Sequence, residues 1–256
     1  MSLTIDNMSI AYGTFAVIDG LNLTIPKGAV TAIIGPNGCG KSTLLRGIAG
    51  LLPLQRGQVT LDGSQTARMR PIALARRLAL LPQAPLAPEG IRVEELVTRG
   101  RTPWLRAFRP PSAKDRAAVQ RAMRAAGVAD MRHRRVSDLS GGQRQRVWIA
   151  MAFAQETDWL LLDEPTTWLD LPHQLEVLQL IRHQNSDASR SVVMTLHDIT
   201  LAARFADHVI ALRDGRLVAQ GPADLVITAE ILDRTFGLNA QVIPDPLHGT
   251  PLVLPR

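Results

Sequence analysis

The chain has 256 residues, 46% of them hydrophobic and 20% charged, so it can bury a substantial core as one large domain or as a main domain with an inserted part. Its net charge of +6 comes almost entirely from arginines scattered along the chain, so charge alone identifies neither a nucleic-acid nor a membrane partner. The single cysteine, Cys39, excludes an internal disulfide and indicates a reducing compartment.

The sequence predicts neither a signal peptide nor a membrane span. The first six residues have no basic start followed by a long apolar stretch. The longest apolar runs are far shorter than the ~20 residues that a spanning helix requires. We therefore expect a soluble, cytoplasmic protein.

The first third of the chain is predicted to form mainly strands. Apolar patterns indicate strands at residues 3–11, 21–25, 29–34, 58–61 and 78–81, and a first helix at 42–49. The pair Asp62-Gly63 marks a turn after the fourth strand. These elements predict a mixed sheet with an antiparallel start.

A glycine-rich loop joins the third predicted strand to the first predicted helix. Its sequence is Gly35-Pro36-Asn37-Gly38-Cys39-Gly40-Lys41-Ser42-Thr43. Glycines allow successive N–H groups to turn inward around an anion, at the positive end of the following helix. In such a loop Lys41 reaches the β- and γ-phosphates of a nucleotide, and the Ser42 hydroxyl holds Mg²⁺. Cys39 is interpreted as a tolerated small residue and not as a nucleophile.

The pattern then becomes helical between residues 84 and 155. Helices are predicted near residues 92–99, 112–127 and 140–154. Ser112 and Asp115 form a capping box for the second helix, and Gly127 closes it. We predict a helical insertion at 84–155 within a core made of residues 1–83 and 156–256.

Strands and helices alternate in the last hundred residues. Strands are predicted at 159–162, 191–196 and 208–212, helices at 172–182 and 199–205, a turn at 213–216 leading into 217–219, a terminal helical region at 223–236 and an edge hairpin at 240–254. Near-continuous apolar character suits strands that are buried on both faces. The alternation predicts an α/β core.

Polar residues follow two of these buried strands. Asp163 and Glu164 come directly after four apolar residues, where the open edge of an α/β sheet commonly carries its site. Asp163 is placed to hold Mg²⁺, and Glu164 to orient and polarise an attacking water. His197 follows the strand at 191–196, and Gln83 follows the strand at 78–81. On their own, the signals from His197 and Gln83 are weak.

Seven elements in this order make the chain resemble an ATP-binding subunit of an ABC transporter over nearly its whole length. They are Tyr12 as the aromatic that stacks on adenine, residues 35–43 as the Walker A loop, Gln83 as the Q-loop, residues 139–143 as the signature, residues 160–164 as Walker B, residues 167–170 as the D-loop and His197 as the switch histidine. The resemblance implies a P-loop ATPase fold with an antiparallel β subdomain and an inserted helical subdomain.

The resemblance further implies a head-to-tail homodimer that encloses two ATP molecules. One protomer would contribute the phosphate loop, which includes Lys41 and Ser42, together with Gln83, Asp163, Glu164 and His197. Its partner would contribute Ser140, Gly141, Gly142 and Gln143. Asp170 belongs to the D-loop. Lys41, Gln83, Glu164 and His197 are the implied catalytic set, and Ser42, Gln83 and Asp163 the implied Mg²⁺ ligands. The order Ser-Gly-Gly at a helix start suits this role, because it offers a hydroxyl and free N–H groups to a γ-phosphate.

Residues 77–83, 97–103, 143–155 and 163–170 resemble more closely the ATPases that import ferric siderophores, haem or cobalamin. Trp168 is a departure, because those proteins usually have Tyr at this position. The resemblance implies two membrane permease subunits, a periplasmic or lipid-anchored binding protein, and a peripheral location on the cytoplasmic face of the inner membrane.

Other ATPases of the superfamily are alternatives. A DNA-maintenance ATPase usually carries long coiled coils, zinc-binding cysteines or large extra domains, which this chain does not have room for, so no nucleic acid is expected. An exporter ATPase is a nearer alternative. A module that binds ATP without hydrolysing it is disfavoured by Glu164 and His197.

Overall fold

The fold was determined as a computed structural model that describes residues 2–106 and 109–256; Met1 and residues 107–108, part of the predicted helical insertion, lie outside the described residues. The strands are β1 (Ser2–Tyr12), β2 (Phe15–Pro26), β3 (Val30–Ile34), β4 (Arg56–Leu61), β5 (Ser64–Gln65), β6 (Leu78–Leu81), β7 (Trp159–Leu162), β8 (Ser191–Thr195), β9 (His208–Arg213), β10 (Arg216–Gly221), β11 (Ala240–Pro244) and β12 (Pro251–Pro255). The α-helices are α1 (Lys41–Ile48), α2 (Pro71–Ala75), α3 (Val93–Arg99), α4 (Ala113–Ala125), α5 (Gly141–Ala154), α6 (Leu171–Ala188), α7 (Ile199–Phe205), α8 (Ala223–Val226) and α9 (Ala229–Phe236).

The central six-stranded sheet has the order β10-β9-β3-β8-β7-β6. Strands β9, β3, β8, β7 and β6 are parallel, and β10 pairs antiparallel with β9 as the second strand of a hairpin. Every residue of β3, β7 and β8 is buried, which explains their continuous apolar sequences. Because parallel strands end at the same edge, the segments that follow β3, β6, β7 and β8 meet there.

A second sheet is antiparallel and has the order β2-β1-β4-β5. Its apolar residues and part of the central sheet form one core with the inner face of α1. The predicted antiparallel start forms a sheet of its own, in agreement with the antiparallel β subdomain that the resemblance implied. Alternating burial identifies each strand, but it does not specify which strands pair.

The described residues between 84 and 155 form helices α3, α4 and α5 with short 3₁₀ turns. Their apolar faces share a core with the central sheet and with α6 and α7. The predicted capping box is confirmed: the Ser112 hydroxyl accepts a hydrogen bond from the Asp115 N–H, and the Asp115 carboxylate accepts one from the Ser112 N–H.

Several predicted boundaries were wrong. The sequence missed α2, which is a single short turn, and α6 extends six residues beyond the predicted end at 182. The predicted helical region 223–236 is two helices, because Ile227 leaves helical geometry between α8 and α9. Strands β11 and β12 form a separate two-stranded sheet and not an edge of the central one. No described helix is both long and apolar enough to cross a bilayer.

Candidate active site

The phosphate loop leaves β3 and enters α1 through glycines that no other residue could replace without strain. A Cβ on Gly35 would lie 2.3 Å from the Leu212 carbonyl oxygen, so the loop packs directly on the end of β9. Gly38 and Gly40 have φ angles of +78° and +101°, which L side chains rarely adopt. Pro36 accepts a hydrogen bond from the Cys39 N–H (3.3 Å), which closes the turn around Asn37.

Lys41 is the first residue of α1, and its side chain folds back over the loop. Its Nζ donates hydrogen bonds to the carbonyl oxygens of Gly35 (2.8 Å) and Pro36 (3.0 Å), and only 5% of the residue is exposed. Among the described residues, its hydrogen-bond partners are neutral carbonyl groups, and a buried ammonium with such partners gains strongly from an anion. The loop therefore holds a positive charge in place for phosphate.

Ser42 and Asp163 meet across the sheet edge. The Ser42 Oγ donates a hydrogen bond to Asp163 Oδ1 (2.9 Å), and the Thr195 hydroxyl at the end of β8 donates to the same oxygen (3.0 Å). Burial raises the pKa of the Asp163 carboxyl above its ordinary value, although both hydrogen bonds act in the opposite direction. A cation beside Asp163 would offset this burial.

The donor set of this cluster suits Mg²⁺. A hydroxyl, a carboxylate and an amide oxygen are hard ligands, and Mg²⁺ is usually held by one or two carboxylates together with phosphates and water. Ser42 and Asp163 would hold the ion, with Gln83 beside them. Among the described residues, the buried Asp163 carboxylate accepts hydrogen bonds from two hydroxyls and forms no salt bridge, so a cation beside it would be favourable.

Glu164 is held by three side chains from three segments. Gln83 Nε2 donates to Glu164 Oε2 (2.6 Å), the Thr167 hydroxyl donates to the same oxygen (2.9 Å), and His197 Nε2 lies 2.7 Å from Oε1. Burial opposes ionisation, but the contacts with His197 and Thr167 outweigh it, so the pKa of Glu164 lies below its ordinary value. Glu164 is thus an ionised carboxylate at neutral pH, as a proton acceptor must be.

Lys41, Ser42, Gln83, Glu164 and His197 line one open cavity of about 580 Å³. Its lining comprises Val17, Asn37, Gly38, Gly40, Lys41, Ser42, Thr43, Gln83, Glu164, Thr167, Trp168 and His197. The predicted residues Gly35, Pro36, Cys39 and Asp163 are not among the lining residues, and Asp163 is buried. Neither Val17 nor Thr195, which lies behind the acids, was predicted from the sequence, and Thr167 was predicted only as part of the D-loop, without its contact with Glu164. Of these residues, only Thr195 has a sequence feature that could have indicated it: it is a polar residue at the end of an apolar strand.

The four predicted residues of the signature do not line this cavity. Ser140, Gly141, Gly142 and Gln143 begin α5, and none of them is among the residues that line it. Ser140 Oγ accepts from the Gln143 N–H (3.3 Å), and Gln143 Oε1 accepts from the Ser140 N–H (3.2 Å). Within one protomer, the predicted signature and the phosphate loop therefore do not form a single site.

Two other predicted residues, Tyr12 and Asp170, are also not among those that line the cavity. Asp170 is the N-cap of α6, where Oδ1 accepts from the His173 N–H (3.4 Å). Tyr12 ends β1 opposite Phe15, is half exposed and is not among the residues that line the cavity, whereas Val17 of β2 is. Trp168 lines the mouth with 93% of its surface exposed.

The chain matches a protein-family model. Residues 18–167 match the model for the ABC transporter family, and this stretch contains the phosphate loop, the Ser140 segment and both acids. The match covers more than half of the chain.

Curated relatives extend the similarity to the whole chain. The chain is 49% identical over 255 residues to the "Probable siderophore transport system ATP-binding protein YusV" of Bacillus subtilis, covering 100% of this chain and 93% of that protein. It is 46% identical over 250 residues to the ferric enterobactin transport ATP-binding protein FepC of Escherichia coli, covering 98% and 92%. A hemin import ATP-binding protein, HmuV of Rhodococcus jostii, is 38% identical over 256 residues, covering 100% and 87%.

Solved structures agree with this similarity. A metal-chelate type ABC transporter in an inward-facing conformation superposes with a TM-score of 0.86 at 28% identity, covering 100% of this chain and 97% of that chain. A dimeric ATP-binding cassette in a post-hydrolysis state, bound to ADP and Pi, superposes with a TM-score of 0.75 at 27% identity, covering 86% and 98%. With the family model matched over residues 18–167 and relatives matched over the whole length, the chain belongs to the ABC transporter family.

Proposed function

We propose that this protein is the ATP-hydrolysing subunit of an importer of ferric siderophores. The observation that carries the ATPase part is Glu164, a carboxylate held by Gln83, Thr167 and His197 in the same cavity as Lys41. The cargo is inferred from the names of relatives. Those named for siderophores or iron-hydroxamate are 44–49% identical to this chain, apart from one petrobactin protein at 37%. Those named for hemin are 38–41% identical.

ATP is the substrate, and each group has a distinct task. Lys41 and the N–H groups of the phosphate loop bind the β- and γ-phosphates. Glu164 orients a water in line with the γ-phosphorus and takes up its proton, while Gln83 and His197 hold the carboxylate in place. Mg²⁺ at Ser42 and Asp163 would neutralise charge that develops on the phosphate oxygens.

The complete site requires two copies of the chain. The helix start at Ser140 offers a hydroxyl and N–H groups to the γ-phosphate, but it does not line the cavity of its own protomer. A head-to-tail homodimer would bring the Ser140–Gly142 segment of one copy to the Lys41 of the other. ATP then joins the two copies, and hydrolysis removes the phosphate that bridges them.

The rest of the proposed transporter comprises two membrane permease subunits and a periplasmic or lipid-anchored binding protein. The ATPase would sit peripherally on the cytoplasmic face of the inner membrane and would not touch the cargo. No nucleic-acid partner is proposed.

The test is reconstitution in liposomes with the permease encoded beside this chain and with its binding protein. We expect ATP hydrolysis inside the liposomes to increase when the external binding protein carries a ferric siderophore, and not when it carries haemin or cobalamin. Stimulation by haemin or cobalamin alone would reassign the cargo. Substrate-stimulated hydrolysis that needs no binding protein would instead indicate an exporter.

A further inference from the structure

A buried arginine ties the three helices of the helical segment together. Arg101 follows α3 and is only 2% exposed. Its Nε lies 3.0 Å from Asp115 Oδ1 at the start of α4, and its Nη1 contacts the Ala154 carbonyl oxygen (2.8 Å) and Glu156 Oε2 (2.9 Å) at the end of α5. A buried charge needs such partners, since an unpaired one is strongly destabilising.

The end of α5 is also tied to the core. Gln155 Nε2 donates to the carbonyl oxygens of Ala75 (2.6 Å) and Leu78 (3.2 Å), in α2 and at the start of β6. Trp104 Nε1 donates to the Gln155 carbonyl oxygen (2.7 Å). The peptide between α5 and β7 is therefore bound on one side by the helical segment and on the other by the core.

Two guanidinium groups, one from each of these two parts, lie close to the Trp104 ring. The Arg101 carbon Cζ lies 5.2 Å from the centre of its ring, and the Arg76 Cζ at the end of α2 lies 5.0 Å from it. Arg76 Nε also donates to the Pro103 carbonyl oxygen (2.8 Å). Cation–π contacts of this kind favour one orientation of the helical segment against α2.

The opposite end of α5 is held by weaker contacts. Gln145 Nε2 donates to the Pro165 carbonyl oxygen (2.8 Å), and Arg146 pairs with Glu176 of α6. These contacts are partly exposed, so water can replace them at low cost. When these contacts break, α5 would rotate about its C-terminal end near residue 154.

The length of α5 amplifies such a turn. Its 14 residues span about 21 Å, so a rotation of about 10° at residue 154 would displace residue 141 by about 4 Å. A hydrogen bond to phosphate tolerates far less displacement than this.

We propose that Arg101, Trp104 and Gln155 are positioning residues that form the pivot of α5. They fix its direction, and so the place at which each protomer presents Ser140 to the ATP of its partner. The inference rests on the two-copy site proposed above.

The first test uses Glu164→Gln protein, in which hydrolysis is blocked, with Gln155→Met or Trp104→Phe added. Gln155→Met removes two hydrogen bonds to the core, Trp104→Phe removes one to the Gln155 carbonyl oxygen, and both changes leave the Arg101 ion pairs intact. We expect the affinity of the monomer for a fluorescent ATP analogue to stay within twofold, because the phosphate loop is untouched. The dissociation constant of the ATP-bound dimer, measured by sedimentation, should rise at least tenfold.

The matched control is Arg121→Gln. Arg121 is the exposed partner of Glu156 and contacts the same carboxylate without reaching the core. We expect neither the nucleotide affinity nor the dimer dissociation constant to change in this variant. If Gln155→Met lowers the unfolding temperature but leaves the dimer dissociation constant within twofold of this control, the hydrogen bonds of Gln155 only stabilise the fold and the proposal is wrong.

The second test measures the monomer, so its result does not depend on dimer formation. Nitroxide labels at Arg144→Cys on α5 and Arg216→Cys on β10 report the distance between the helix and the core; Cys39 is buried. We expect a broader or shifted distance distribution with Gln155→Met than with Arg121→Gln. Identical distance distributions would overturn the proposed pivot.

A Glu164→Gln protein that never dimerises with ATP would instead contradict the two-copy site. The distance measurement would still test the pivot, because it uses the monomer.

Discussion

At the scale of single residues, two adjacent acids have opposite pKa shifts. Asp163 is 2% exposed, and burial raises its pKa, whereas donors around Glu164 lower its pKa despite burial. The two acids differ in burial and in their partners: Asp163 is the more deeply buried and accepts hydrogen bonds from two hydroxyls, whereas Glu164 contacts Gln83, Thr167 and His197. One carboxylate is thus suited to gain a cation, and the other is already an ionised acceptor.

Glu164→Gln should separate ATP binding from hydrolysis. The amide keeps the shape of the side chain but cannot accept a proton, so we expect the hydrolysis rate to fall about 100-fold or more. ATP should still bind and should hold the protein as a dimer, visible by size-exclusion chromatography. Glu230→Gln, on the exposed face of α9, is the control. A variant that stays monomeric at saturating ATP would contradict this expectation.

Lys41→Ala should remove tight nucleotide binding. Hydrogen bonds that involve a charged group contribute about 1.5–3 kcal/mol each, so the loss of one ammonium should weaken ATP binding at least tenfold. Equilibrium titration with a fluorescent ATP analogue would measure this change. Lys114→Ala, an exposed lysine on α4, should leave the affinity unchanged. Equal affinities in the two variants would exclude Lys41 from the site.

At the scale of elements, ion pairs join the helices of the helical segment in addition to their apolar contacts. The hydrogen bond from Ser112 and the charge of Arg101 keep the pKa of Asp115 below its ordinary value, despite burial. Burial also opposes ionisation of Glu156, but Arg121 and Arg101 lower its pKa. These carboxylates stabilise the folded chain only while they are ionised.

This arrangement predicts that stability falls in acid. For Asp115 the folded pKa is below the unfolded one, so its contribution is present above the unfolded value and is lost as the pH falls through the folded value. We expect urea unfolding to give a steeper decrease in the free energy of unfolding below about pH 4 for the parent protein than for Asp115→Asn. Asp224→Asn, at an exposed site, should follow the parent. If the Asp115→Asn curve parallels the parent, Asp115 is not the source of the acid sensitivity.

At the scale of the whole molecule, the proposed two-copy site draws on two separate places in each protomer. The cavity at the edge of the central sheet holds Lys41, Glu164 and His197, while Ser140 stands at the start of α5 outside the cavity. A solved relative in the post-hydrolysis state is a dimer. Complementation between two different defects is therefore the most direct test of a shared site.

Mixing Ser140→Arg protein with Lys41→Ala protein should restore one composite site. The first variant has an intact phosphate loop, and the second has an intact signature. In a heterodimer these two intact parts would face each other and form one complete site. We expect the mixture to form a nucleotide-stabilised heterodimer, which differently tagged subunits would detect. Each variant alone should form no nucleotide-stabilised dimer. Complete absence of the heterodimer would contradict the shared site.

The sequence by itself determined the order of motifs: an apolar strand, a glycine-rich loop and a helix start, then acids and a histidine after buried strands. These signals are local, because turn geometry, strand burial and helix capping depend on neighbouring residues. Only the tertiary structure decided which side chains meet. Ser42 contacts Asp163 and Gln83 contacts Glu164 across separations of 121 and 81 residues, and Thr195 joins the acids from a third strand.

The tertiary structure likewise decided the role of Arg101, which the sequence shows only as one basic residue among 29. Its partners, Asp115 and Glu156, come together because α3, α4 and α5 pack around it, and no sequence period records such packing. The same packing keeps Ser140 away from Lys41 within one protomer. Local patterns thus fixed the chemistry of each group, whereas the long-range arrangement of strands and helices fixed which groups could act together.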